Sequence, residues 1–239
     1  MIIVATIITG KNTIKEAITV GRKIFELYVQ PGTNDEILEL AKTHNIPVKE
    51  LQKQEINNLL PKGHQGIGAS VQDYAYLSLE DALAQPKKHR LYLMLDGVED
   101  PHNLGAMLRS CDAFNVDGVI IPKNRSVQLN ATVAKVSTGA IEHVNVIQVV
   151  NLSQTIRKLK ENGFWIVGTD MDTPQTIHEM DVEADLCIII GNEGRGLSRL
   201  VRDNCDYIVK VPMSGHINSL NASVSCALVL YEVYRRKGE

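Results

Sequence analysis

At 239 residues the chain suits one large domain or two ordinary ones, and either can bury a proper core. Apolar residues make up 44% and charged residues 22%, which excludes a disordered or fibrous chain. The net charge of −3 argues mildly against a nucleic-acid partner, but its distribution weakens that objection. Residues 161–194 hold eight carboxylates and no Lys or Arg, whereas residues 1–70 carry eight basic and seven acidic side chains. The apolar run Met1–Thr9 lacks a basic flank and a cleavage site and is too short to span a bilayer, so it reads as a strand and the expected location is cytoplasmic. Cys111, Cys187, Cys205 and Cys226 are far apart without a CxxC pair, which reads as free thiols rather than disulfides or a zinc site.

In chain order, the β-branched opening is followed by Thr13 and Glu16, whose spacing suggests a capping box and a short helix. Ile24–Val29 reads as a strand, Asp35–His44 as an amphipathic helix, Ile46–Val48 as a strand, Glu55–Leu60 as a brief helix and Gln65–Val71 as a closing strand. Residues 1–71 thus form a small α/β domain. Residues 72–90 contain one weak helical turn, Leu79–Leu83, and a polar stretch around Pro86 that suits a linker. A second alternation fills 91–239, with strands at Leu91–Leu95, Gly118–Ile121, Val144–Val149, Phe164–Thr169, Leu186–Ile190 and Tyr207–Val211 and a long helix over Ser219–Arg236. Several strands are apolar throughout, as in a doubly wound parallel sheet covered on both faces.

In such sheets ligands bind beyond the carboxyl ends of the strands, and three strand exits here carry unusual residues. The first runs from Asp96 to Ser110 and contains Asn103, a plausible helix N-cap, and Arg109 further along the same helix. The second is Gly191-Asn192-Glu193-Gly194-Arg195-Gly196, whose glycines let backbone approach a ligand closely. It fits neither the dinucleotide fingerprint nor the phosphate loop, which removes the usual support for NAD or ATP. The third, Val211 to Ser223, places Ser219 and Asn221 in a polar cluster denser than one helix cap requires.

Together these segments resemble the SpoU (TrmH) family of RNA 2′-O-ribose methyltransferases, of the knotted SPOUT class. The family pattern is Asn-x-Gly-x-x-x-Arg, then Gly-x-Glu-x-x-Gly, then Pro-Met-x-Gly followed by Ser-Leu-Asn-x-Ser, and all three occur here in order. The likeness covers 91–239. Residues 1–71 resemble the L30e-like RNA-binding domain of many members, through Gly10-Lys11-Asn12 and His64-Gln65-Gly66-Ile67. Two-domain members of this design resemble bacterial enzymes that methylate a guanosine ribose in 23S rRNA.

The resemblance implies an α/β fold with a deep trefoil knot, S-adenosylmethionine as methyl donor, structured RNA as partner, a homodimer, and no metal. It places the donor against Gly191, Val211 and Leu220, with Thr169-Asp170 as a further wall and Asn221 pinning the knot beside it. It makes Arg109, Asn103, Glu193, Ser219 and Asn221 the reacting set, and His64, Gln65, Lys11 and Arg109 the RNA contacts. Glu193 is expected to hold Arg109, and Ser219 to bond substrate or Asn221. Arg109 as a base is chemically awkward, because guanidinium groups stay protonated in proteins; a phosphate or ribose positioner is the milder role. His102 is a weaker candidate base. A tRNA ribose methyltransferase would share every one of these residues, and a non-catalytic rRNA-binding assembly factor is the rival from another class.

Overall fold

Apolar stretches alternating with capped helices fold here into two compact units, of residues 1–75 with 129–143 and of residues 76–128 with 144–239. A computed structural model describes residues 5–33, 35–217 and 219–238, with Asp35 described by its backbone alone. The first residues of the expected opening strand, 1–4, lie outside the described residues.

The amino-terminal unit is a four-stranded sheet ordered β1 (Ala5–Thr9), β4 (Ile67–Gln72), β2 (Ile24–Val29), β3 (Val48–Glu50). β4 runs antiparallel to both its neighbours, and β3 runs parallel to β2. Helices α1 (Lys11–Thr19), α2 (Asp35–Thr43) and α3 (Lys53–Leu59) complete it. In α1 the buried residues Ile14, Ala17 and Ile18 recur at helical spacing.

The expected box of Thr13 and Glu16 does not cap this helix. Gly10 stands at the N-cap with φ 99°, so the helix starts at Lys11 and Thr13 is already inside it. Buried Thr13 donates through Oγ1 to Ala134 O at 3.3 Å, and Glu16 Oε2 meets His143 Nε2 at 3.0 Å. The box in this unit belongs to α3, where Gln52 N–H donates to Glu55 Oε2 at 2.8 Å.

Residues 129–143, which the sequence groups with the second series, pack with this unit through α6 (Ala131–Ser137) and the 3₁₀ turn Ala140–Glu142. Arg22 pairs with Glu142 at 2.6 Å and lies 3.6 Å over the centre of the Tyr74 ring. Burial, with Glu142 nearby, holds the Tyr74 phenol well above its ordinary range.

The carboxyl-terminal unit contains a six-stranded sheet of order β10-β8-β9-β5-β6-β7: β10 (Tyr207–Val209), β8 (Trp165–Thr169), β9 (Leu186–Gly191), β5 (Leu91–Asp96), β6 (Gly118–Pro122), β7 (Val146–Val149). Every pairing is parallel, as expected of a doubly wound sheet. Its helices are α4 (Leu79–Leu83), α5 (Pro101–Ala113), α7 (Leu152–Glu161), α8 (Arg199–Arg202) and α9 (Ala222–Lys237). β9 is buried from end to end, which explains its unbroken apolar sequence. Leu79 and Ala82 of α4 join the core of this unit, and Tyr92 Oη donates to Ala82 O at 3.0 Å. From β5 the chain steps outward to β6 and β7, then crosses to β8, β9 and β10, so β5 and β9 meet where the winding reverses.

Three aspartates standing one residue before a strand tie the opposite, amino-terminal edge. Asp117 Oδ2 accepts from Leu91 N at 2.8 Å, Asp185 Oδ1 from Arg90 N at 2.7 Å, and Asp206 Oδ2 from Ile166 N at 2.8 Å. Each satisfies a backbone donor that the neighbouring strand leaves open. Asp117→Ala is therefore expected to lose roughly 1–3 kcal/mol of stability in urea denaturation, and Asp117→Asn, which keeps an acceptor, to lose less. Equal stability of all three proteins would refute the role.

All four cysteines are free, three buried and Cys205 half-buried. Burial pushes the Cys205 and Cys226 thiols up to about 12, and raises Cys111 and Cys187 as well. Reactive thiolate is correspondingly scarce near neutral pH. A disulfide-exchange reagent should leave the native thiols unreacted and titrate four on unfolding; fast reaction of the native protein would contradict this burial.

Candidate functional site

The site is built where β9 ends. A Cβ on Gly191 would lie 2.4 Å from Gly196 C and 2.6 Å from Leu197 N, so only glycine lets the loop fold back this closely. Asn192 and Gly196 exchange backbone hydrogen bonds at 3.0 and 2.9 Å. The Asn192 amide fixes the turn from both ends: Nδ2 donates to Gly97 O at 2.8 Å, and Oδ1 accepts from Gly194 N at 2.9 Å. Sequence reading passed over Asn192, although an Asn two residues before a glycine is a turn signal of its own.

Next to this loop one carboxylate oxygen gathers three donors. Glu193 Oε1 accepts from Asn103 Nδ2 at 2.9 Å, from Asn221 Nδ2 at 2.5 Å and from Ala222 N at 3.3 Å. Asn221 Nδ2 also reaches Asn103 Oδ1 at 3.0 Å. Asn221 is the N-cap of α9, its Oδ1 accepting from Ser223 N at 2.9 Å and Ser223 Oγ at 2.6 Å. The carboxylate thus faces the positive end of a helix, where negative charge is stabilised.

Two expectations are corrected here. Asn103 is not an N-cap: Asp100 holds that place, accepting from His102 N with Pro101 next, and Asn103 is buried inside α5. The Asp-Pro pair starts the helix three residues earlier, because proline is pre-set for its first position. Glu193 does not hold Arg109 either. Arg109 is exposed on α5 and makes no ion pair or hydrogen bond among the described residues, while Glu193 Oε1 is already taken.

A cavity opens on the other side of the glycine loop. Among its walls are Thr169, Asp170, Gly191, Val211, Ser219 and Leu220, and Glu193 borders it. The structure therefore brings Gly191, Val211, Leu220, Thr169 and Ser219 to one cavity, with Asn103 and Asn221 joined to its edge through Glu193. Thr169 Oγ1 donates to Ile189 O at 2.9 Å, and Asp170 is held by Arg202. Ser219 makes no hydrogen bond to Asn221, whose oxygen is occupied by Ser223. Met171, Lys210 and Met213 also line the cavity and were missed; Met171 stands two residues after β8 and Lys210 directly after β10.

Lys11, His64 and Gln65 belong to the amino-terminal unit. Lys11 is exposed at the first position of α1. His64 Nδ1 accepts from Gly66 N at 3.0 Å, leaving Nε2 as donor to Asn57 Oδ1 at 3.0 Å. Gln65 is exposed with a left-handed φ of 52°.

This geometry has counterparts. Residues 90–231 match the model of the SpoU rRNA methylase family, and residues 7–77 that of RNA 2′-O ribose methyltransferase substrate binding. The chain belongs to the SpoU methylase family. This SpoU enzyme is an RNA methyltransferase. A TrmH family tRNA/rRNA methyltransferase of Staphylococcus aureus is 47% identical to it, over 97% of this chain and 96% of that protein. The SpoU methyltransferase AviRb from Streptomyces viridochromogenes, solved with the cofactor AdoMet, shares the fold with a TM-score of 0.86 at 22% identity, over 98% of this chain and 90% of AviRb. The A. aeolicus TrmH/SpoU tRNA modifying enzyme matches at 28% identity with a TM-score of 0.58, over 66% of this chain and 79% of that one.

Removing the shared acceptor of this SpoU site should loosen it. Glu193→Ala is expected to lower stability by about 1–3 kcal/mol, since the amides of Asn103 and Asn221 lose their partner, and Glu193→Gln to lower it less. Thermal unfolding of the three proteins checks this, and an unchanged midpoint for Glu193→Ala would show that the carboxylate does not tie the segments together.

Proposed function

We propose that this protein methylates a ribose 2′-hydroxyl, that of a guanosine, in 23S rRNA, with S-adenosylmethionine as donor, and works as a cytoplasmic homodimer. The observation that carries the reading is the cavity beside Gly191 with the Asn103–Glu193–Asn221 cluster at its edge. A cradle that a single Cβ would fill, with Val209, Val211, Leu220 and Val229 beside the polar Thr169, Asp170 and Ser219, fits a donor that joins a flat adenine ring to a polar ribose. Gly191, Val211, Leu220, Thr169 and Asn221 would hold it. When bound, S-adenosylmethionine supplies an electrophilic methyl group on a sulfonium. Val211, Met213, Ser219 and Leu220, which fall between β10 and α9 in the chain, line the cavity, in keeping with a knotted carboxyl terminus.

The chain's own task is placement and proton handling at a poorly nucleophilic hydroxyl. Positioning of this kind can supply several kcal/mol. Arg109, unpaired on α5, forks onto the target phosphate and aligns the ribose. Glu193 keeps Asn103 and Asn221 in register, and its second oxygen accepts no hydrogen bond among the described residues. Ser219, exposed at the cavity wall, is placed to bond substrate.

Ribosomal over transfer RNA is supported by the rRNA methylase family match and by a separate substrate-binding module, read as an L30e-like domain over 1–71 joined through 72–90 to a methyltransferase domain over 91–239. Lys11, His64 and Gln65 of that module are its RNA contacts. The tRNA-modifying neighbour, by comparison, covers 66% of this chain. The dimer is supported by Val224, Leu228 and Tyr231, which leave an exposed apolar stripe on α9. Phe114 of the α5 end packs against Tyr231 and Tyr234, so a second copy on this stripe would lie beside the helix bearing Arg109. The cytoplasmic reading agrees with the finding that no described helix is long and apolar enough to cross a membrane.

Tritium transfer from labelled S-adenosylmethionine into 23S rRNA and bulk tRNA tests the proposal. Label should map to a 23S guanosine ribose and fall by at least ~10²-fold in Arg109→Ala. Label on tRNA alone would overturn the substrate, and tight RNA binding without label would favour an assembly factor.

A further inference from the structure

On the face of the glycine loop turned toward β6 and β7 lies a second cavity, of 390 Å³, that shares Asn192 and Gly196 with the first. Its volume falls within the ~300–1,000 Å³ of small-ligand sites. Arg125 and Arg195 both line it, both are exposed, and neither side chain has a partner among the described residues. Several other arginines of the carboxyl-terminal unit are engaged, Arg90 with Asp185, Arg202 with Asp170 and Arg235 with Glu232, although Arg109 and Arg157 also make no ion pair or hydrogen bond among the described residues.

Arg125 is also held deliberately. It sits in left-handed backbone at φ 55°, a conformation that costs a bulky residue free energy and persists only when the surroundings impose it. Those surroundings are visible. Ser126 Oγ and Val127 N both donate to Val98 O, at 3.2 and 2.9 Å. Gln128 Nε2 closes the loop onto Pro122 O at 2.9 Å and Ser126 O at 3.1 Å. The loop is therefore pinned to the exit of β5, beside the glycine turn that borders both cavities.

The remaining walls suit a nucleobase. Val150 and Leu200 are 81% and 69% exposed there, offering apolar surface to an unstacked ring. Glu99 is an exposed carboxylate that can accept from a base edge, whereas Asp96 is occupied by Ser198 N at 2.6 Å. Single-stranded RNA is recognised in this way, by phosphate contacts together with splayed bases. We infer that this cavity is a subsite for the nucleotide flanking the methylated one, with Arg125 and Arg195 on its phosphates; the inference rests on the RNA substrate proposed above.

The test measures 23S rRNA affinity across a salt series, S-adenosylmethionine affinity by calorimetry, and methyl transfer, for the wild type, Arg125→Gly, Arg195→Ala and the double variant. Glycine is chosen at 125 because it removes the side chain without backbone cost at that φ. Each variant should bind RNA about tenfold more weakly. The slope of log affinity against log salt should shrink by about 0.7 per arginine. KM for RNA should rise while kcat at saturating RNA and donor affinity hold, and Arg125→Lys should recover part of the loss. Wild-type affinity and slope in the double variant would overturn the subsite, as would a parallel loss of donor affinity, which would assign the loop to the first cavity. If the wild type binds RNA but transfers no methyl, the proposed activity falls while affinity and slope still decide the subsite; a wild type that binds no RNA overturns both.

Discussion

Glu193 Oε1 joins three parts of the chain that are far apart in sequence: Asn103 in α5, the turn after β9, and Asn221 at the start of α9. Its effect depends on what it faces. Four N–H groups at the start of α9 lack partners within the helix, and the Asn221 side chain and the Glu193 carboxylate between them satisfy Ser223 N and Ala222 N. The same carboxylate gives a partner to the amide of buried Asn103, which would otherwise pay the full cost of desolvation. The cluster is therefore self-consistent: each member is polar because another needs it, and removing one leaves a defect at the others.

The sheet explains why such a cluster can form here. Because the winding reverses at β5 and β9, the segments leaving these neighbouring strands diverge and open a crevice. Asp96 pairs with Gly191 across that boundary, so the exit that leads to Asn103 and the exit that leads to Glu193 begin side by side. The missing Cβ of Gly191 and the left-handed φ of 63° at Gly196 then allow the second exit to double back closely, leaving cavities on its two faces. The position of the site is thus a property of strand order and the absence of two side chains.

Much of this was readable from the chain. Strands of the parallel sheet were placed within two residues at each end, because an apolar run covered on both faces has a strong signature. Helix starts fared worse. The Thr13–Glu16 spacing mimicked a capping box although Gly10 opens the helix, and Asn103 looked like a cap although Asp100-Pro101 comes first. A cap is decided by backbone conformation, which a residue pattern only correlates with. Glu193 with Arg109 was the natural electrostatic pairing, yet two neutral amides took the carboxylate. Charge alone ranks partners poorly when geometry decides who arrives. Residues 129–143 are the instructive case in domain organisation: Arg22–Glu142 and Thr13–Ala134 are long-range contacts with no periodic signal in either partner.

A division of labour between backbone and side chain accounts for which functional residues are legible. The first cavity is made by close backbone approach at Gly191 and a left-handed turn at Gly196, and both demands favour glycine, which leaves a mark in the sequence. The polar cluster leaves a partial mark: Asn221 caps α9 as a residue of its type commonly does, whereas the burial of Asn103 shows only in the fold. Exposed cations leave none. Apart from Arg109, which the family motif marks, Arg125 and Arg195 read as ordinary solvated charges until the fold brings both, without partners, to one cavity. A guanidinium kept unpaired beside a cavity retains all its donors for an incoming anion, with no ion pair to break first. On the proposed reading the two arginines hidden in the sequence are those that meet the flanking nucleotide, because their chemistry is completed only by the substrate.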